Sequence, residues 1–235
     1  GIPGLWVTGL ALFSNGQKSE ALAAFEEAAR LSTQTDVRDF MFSLNYVFLA
    51  QLFQGDHCAA EATLRKLATV VNARQSQDSK MAVMKLNALL WIASDGHSGT
   101  EPDLEELEDA KEAASGVYAY YLVVGLEAII AHLADYLGDF QVAGRRYLAA
   151  AALADSFGHV TAGFVYLVFG ARTLARAGQT EMAKLGYQEL MGRLCDTQDL
   201  ALRAQLIDEA AAYGILPSAD DLELILKGPF DDASI

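Results

Sequence analysis

The 235-residue sequence predicts an all-α fold: a right-handed solenoid of about five antiparallel helix pairs, followed by one or two C-terminal helices. Three observations carry that expectation. First, a glycine, a polar residue and an alanine five positions after the glycine recur along the chain. The instances are Gly16-Gln17…Ala21, Gly55-Asp56…Ala60, Gly138-Asp139…Ala143 and Gly178-Gln179…Ala183. Successive glycines lie 39, 83 and 40 residues apart, and Asp95-Gly96 divides the long interval into 41 and 42. A period of this size marks units that cannot bury their own apolar faces and stack on their neighbours to do so. Second, apolar residues between the turns follow a helical period, as at Leu22, Phe25, Ala28 and Ala29. Third, the chain is 52% apolar with only four prolines, a composition suited to ordered helices rather than disorder.

The helices follow from their caps. Residues 5–14 and 18–31 form the first pair around Gly16. Asp36 caps a helix over 37–54, and Asp56 caps 57–74. Residues 80–94 begin the third pair. Its second helix is expected to open with Glu101-Pro102-Asp103, where proline suits the first turn and acids favour the positive end of the helix dipole. Residues 117–137, 140–157, 160–177 and 180–195 complete the fourth and fifth pairs, and 199–213 is one further helix closed by Gly214. Ser218 and Asp221 fit a capping box for a short helix from Pro217 to about Leu226. The repeat domain is thus expected over 1–213, with a short helix and acidic tail over 214–235. The third repeat is irregular. Its loop, 95–100, is longer than the others, and 101–112 carries seven acids against one lysine, the pattern of a solvated face or of a strip for a basic segment.

A formal charge of −14 argues against nucleic acid, whose phosphates need Lys and Arg to neutralise them, and against anionic membranes. It suits solubility or a basic partner. The two cysteines, Cys58 and Cys195, are too few and too far apart for a disulfide framework, and are expected as core-packed thiols of an intracellular, cytoplasmic protein. The start, Gly1-Ile2-Pro3-Gly4, has neither a basic n-region nor an apolar run, so no secretory signal is read there. Lacking an initial methionine, the chain is taken as processed or as a piece of something longer. The apolar run 117–134 contains Glu127 and His132, and 159–171 is too short to span a bilayer, so neither is expected to be transmembrane.

No catalytic constellation emerges, and the chain is expected to be no enzyme and to need no cofactor or metal. It contains no phosphate-binding G-x-x-x-x-G-K-[ST] loop. Gly96-His97-Ser98-Gly99 is one residue short of a nucleophile elbow and follows no strand. The histidines, His57, His97, His132 and His159, sit in different repeats or loops, without H-E-x-x-H spacing. His132 and Asp135 lie three apart and share a helix face.

The glycine–alanine pattern resembles the tetratricopeptide-repeat superfamily. There the turn is typically Gly-Asp, an alanine follows five residues after the glycine, and an aromatic follows four residues later. The aromatic position here reads Phe25, Leu64, Tyr147 and Tyr187. The next small position reads Ala28, Leu67, Ala150 and Leu190, so half of those sites depart from the pattern. A period near forty is similar to the long, degenerate repeats of bacterial signalling regulators and of eukaryotic scaffolds. The resemblance implies that the first helix of each pair lines a concave binding side. Its inward positions would be Trp6, Leu10, Phe13, Phe42, Asn45, Leu49, Leu52 and Phe53 in the first two repeats, and His132, Asp135, Tyr136, Arg172 and Arg176 in the last two. One end would be apolar. The other would carry two arginines able to take a carboxylate or phosphate bidentately. The family's lysine–asparagine carboxylate clamp is not reproduced, since Asn45 alone does not make one.

The resulting expectation is a non-catalytic scaffold for a protein or peptide, with binding residues Phe42, Asn45, Leu49, His132, Asp135, Tyr136, Arg172 and Arg176. The alternative is a ligand-sensing module of a bacterial transcription regulator or signalling ATPase. Trp6, Leu10 and Phe13 leave the first helix without a polar cap, which suits a homodimer or a flanking-domain contact there.

Overall fold

The repeated glycines end helices, and their backbone shows why glycine recurs. In the computed structural model, Gly16, Gly55, Gly138 and Gly178 have φ of +77°, +78°, +83° and +69°. Such left-handed values suit glycine because a Cβ would crowd the backbone. Each residue after the glycine donates its N–H five residues back: Gln17 to Leu12, Asp56 to Gln51, Asp139 to Ala134 and Gln179 to Leu174, at 2.9–3.0 Å. These bonds satisfy carbonyls that the helix end would leave bare.

The structure describes residues 1–34, 36–74, 77–115, 120–195 and 200–215. Among them are eleven helices and no strand. The chain divides into two compact units, Gly1–Leu122 and Val123–Ile235. In the first, α1 (Ile2–Ser14), α2 (Lys18–Ser32), α3 (Val37–Phe53), α4 (His57–Arg74), α5 (Gln77–Ala93) and α6 (Leu104–Ser115) each pack on the next. In the second, α7 (Tyr120–Tyr136), which begins just before the division, is followed by α8 (Phe140–Ser156), α9 (Val160–Arg176), α10 (Thr180–Cys195) and α11 (Leu200–Ala212). There α8 packs on α9, α9 on α10 and α10 on α11. The fold class is therefore all-α with the arrangement of a helical repeat.

Packing gives the alanine of the motif its reason. Ala21, Ala60, Ala143 and Ala183 are fully buried, each at the start of the second helix of a pair, where a larger side chain would hold the helices apart. Gly9, seven residues before its turn, makes the same point: a Cβ there would come 2.4 Å from the Phe25 ring. Gly144 of α8 and Gly170 of α9 do this from both sides of one crossing. An added Cβ would sit 2.5 Å from Cγ of Leu174 at the first and 2.8 Å from Cδ2 of Leu148 at the second. The core of the first unit gathers Phe25, Phe48, Leu64 and Leu90, and that of the second Leu174, Tyr187, Leu190 and Leu206.

Several expectations change, among them the start of α5, which lies at Gln77 and not at residue 80. The helix expected to open at Glu101-Pro102 starts at Leu104, because the Asp103 carboxylate caps it by accepting from the N–H groups of Glu105 at 2.8 Å and Glu106 at 3.3 Å. Proline thus precedes the cap instead of filling the first turn. Helix α1 begins earlier than residue 5, with Pro3 tolerated in a first turn that needs no donor there. Cys58 is exposed, not core-packed, because position 58 on α4 lies off the face carrying Ala60, Leu64 and Leu67. The side chain of Cys195 and the expected short helix from Pro217 lie outside the described residues.

Candidate functional site

The polar candidates cluster in the second unit, on the last turns of α7 and α9. Both helices are apolar through their middles, so polar side chains here must be solvated or matched. Arg176 and Asp135 meet at 3.0 Å, and the guanidinium of Arg176 also lies 4.1 Å from the centroid of the Phe140 ring. The Nε of Arg172 donates to Oε1 of Glu209 on α11 at 2.5 Å, and the Tyr187 hydroxyl donates to the same oxygen at 2.7 Å. His132 turns inward, its Nδ1 2.5 Å from the Tyr147 hydroxyl and its ring edge-on to Tyr147 and Phe169. Tyr136 stands at the rim, 37% exposed.

These surroundings move the titrations. Burial holds the His132 imidazole below its ordinary pKa, opposed by the charge of Asp135. Burial raises the Tyr147 phenol, and the Tyr187 phenol rises through burial and its bond to Glu209. The Glu209 contact raises the Arg172 guanidinium further. All four groups hold one charge state near neutrality.

The two arginines are not the open anion clamp that the sequence suggested, because each guanidinium already holds a carboxylate of its own chain. The carboxylates come from other helices, Asp135 from α7 and Glu209 from α11. Arg172 uses only its Nε in this contact and Arg176 a single Nη, so both retain further N–H donors. Their side chains are 34% and 44% exposed.

Sequence reasoning missed Glu209, Phe169 and the part played by the two tyrosines, although a signal was present. His132, Tyr147 and Phe169 touch one another; Arg172, Tyr187 and Glu209 stand forty residues on, with Glu209 bonded to the other two. One repeat fills the slot with aromatic contacts and the next with an ion pair. Counted from their own turn glycine, the matching first two positions of the second repeat are Leu49 and Leu64, both packed into the core of the first unit. A hydroxyl at the aromatic position accompanies a polar residue six before the glycine, and that pairing was legible.

The other candidates lie in the first unit. Leu49 packs against the core, Asn45 is half-buried, and Leu52 is core. Phe42 remains 42% exposed beside Trp6, whose ring centroid is 6.0 Å away, while the Trp6 indole N–H donates to the Ser43 hydroxyl at 2.9 Å. Phe13 meets Phe53 edge-on at 5.5 Å. Much of this aromatic stripe therefore seats α1 on α3, the ordinary work of such stripes.

Among the described residues no three His, Cys, Asp or Glu side chains gather as a metal site would require, and no helix is long and apolar enough to cross a membrane. No family model matches the chain, and no curated protein matches it in sequence.

Proposed function

We propose that the chain is a non-catalytic scaffold that holds a protein or peptide segment on the α7–α9 face, in the manner implied by its likeness to tetratricopeptide repeats. One observation carries the reading. Arg172 and Arg176, one helical turn apart, are each held through one nitrogen by Glu209 and Asp135 and keep further N–H donors, and Tyr136, next to Asp135 on α7, is exposed. Side chains already held before binding lose less freedom when a segment with carboxylate or carbonyl oxygens arrives. Arginine and tyrosine are also the residues in which interface energy concentrates.

The test is site-directed photocrosslinking in the native host. A benzoylphenylalanine at Tyr136 should give one polypeptide adduct, whereas the same residue at Val142, exposed on α8, should not. Arg172→Ala with Arg176→Ala should weaken the captured partner by about 2 kcal/mol or more with helix content unchanged. Equal capture from both positions, or affinity indifferent to the arginines, would remove the α7–α9 face from consideration.

A further inference from the structure

The first unit contains a cleft that none of these residues uses. It lies between α4, α5 and the 99–103 segment leading into α6, and has an open volume of about 370 Å³. Its walls are apolar: Leu64 and Ala68 from α4, Val83 and Met84 from α5, Leu107 from α6. The strap that closes one side is pinned. The Asn87 side-chain amide donates to the Thr100 carbonyl at 2.6 Å and its oxygen accepts from the Thr100 N–H at 2.9 Å, the pattern of a strand pair made by one side chain. A Cβ on Gly99, at φ +81°, would come 3.0 Å from that same oxygen, so the strap lies as close as glycine allows.

The rim of this apolar cleft is acidic. Asp103 is spent on capping α6, but Glu101 and Glu106 are exposed and make no ion pair among the described residues. The cation at the edge, Arg65, is turned to Glu61 at 3.4 Å. Two carboxylates over an aliphatic floor complement a side chain that is aliphatic along its stem and cationic at its tip. The volume sits at the small end for ligand sites, room for a side chain or two rather than a large cofactor.

We propose that this cleft docks a basic segment of a partner polypeptide. The stem of one Lys or Arg lies on Leu64, Val83 and Met84, and its cation meets Glu101 and Glu106. The pinned strap keeps the cleft open beforehand, so binding need not order it. The site is independent of the α7–α9 face, and either can fail without the other.

A fluorescein-labelled hexalysine peptide is the probe, titrated against the full chain by anisotropy at about 20 mM and about 150 mM salt, which separates contact from long-range attraction. Glu101→Gln with Glu106→Gln should weaken binding about tenfold at the higher salt, or about 1.4 kcal/mol. Glu20→Gln with Glu26→Gln removes the same charge from exposed positions on α2 and should change it less than about twofold. A hexamer of diaminopropionate, whose short stem cannot reach the floor, should bind about threefold more weakly. Zero-length carbodiimide coupling should mark Glu101 or Glu106. No binding, equal loss in both glutamine pairs, or indifference to stem length would each overturn the proposal. The substituted glutamates are exposed, and circular dichroism checks that each variant is folded.

Discussion

Gly144→Ala should destabilise the second unit, although alanine is the better helix former. The substitution gains about 1 kcal/mol of helix propensity. Against that, the new Cβ would lie 2.5 Å from Cγ of Leu174, 2.8 Å from its Cδ2 and 3.1 Å from its backbone nitrogen. Leu174 is fully buried, and Cγ is a branch point close to its own backbone, so it cannot swing away as a chain tip would. Overpacking of this kind costs about 1–3 kcal/mol, and a clash reaching backbone belongs at the upper end. The net expectation is a loss of about 2 kcal/mol, or a fall of roughly 8 °C in Tm for a unit of this size. Urea unfolding followed by circular dichroism reads it as a lower midpoint with an unchanged slope. Gly192→Ala supplies the opposite sign. No atom lies within 4 Å of its Cβ position, so it should stabilise by about 0.5–1 kcal/mol. In a Leu174→Ala background the Cγ and Cδ2 clashes are gone and only the 3.1 Å approach to the backbone nitrogen remains, so Gly144→Ala should cost clearly less. A Gly144→Ala protein as stable as its parent would refute the claim that α8 and α9 meet through a glycine contact.

Tyr187→Phe deletes the hydroxyl that shares the Glu209 oxygen with Arg172, and should cost about 1.5 kcal/mol in the same unfolding assay, since the acceptor is charged and half-buried. His132 gives a pH dependence. Burial makes it harder to protonate in the folded chain than in the unfolded one, so its contribution is complete above the ordinary value of 6.5 and is lost as pH falls below that. His132→Gln should therefore flatten the decline in urea midpoint between about pH 7 and pH 5; an unchanged decline would assign it to other groups. Asp139→Ala removes the carboxylate that accepts from the Val142 N–H at 3.2 Å and should cost about 1 kcal/mol through loss of the α8 cap, while Asp139→Asn should cost much less.

The local features were legible because they depend on neighbours in the chain. Glycine fixes a left-handed turn, aspartate at 36, 56 and 139 accepts from the next N–H groups, and alanine five residues on marks a tight crossing. Helix boundaries fell within a few residues for the same reason. At α6, proline and aspartate both suit a helix start, and the Asp103 hydrogen bonds made it the cap. The site was legible only in part. The forty-residue period related His132 to Arg172, and the structure pairs Asp135 with Arg176, but the inward turn of His132 onto Tyr147 was not readable from spacing.

Only the tertiary structure decided what those side chains do. Whether Arg172 waits for a ligand or holds Glu209 depends on a residue 37 positions away on another helix. Whether Phe42 and Trp6 form a surface or a seam depends on how α1 lies on α3. The Asn87–Thr100 clamp and the cleft beneath it depend on where an irregular loop returns to α5. The sequence by itself determined the helices, their turns and their repeat, because backbone sterics and hydrogen bonds act over a few residues. Partners of polar side chains are set by packing between helices, and the energy of an ion pair turns on ångströms that no spacing rule supplies.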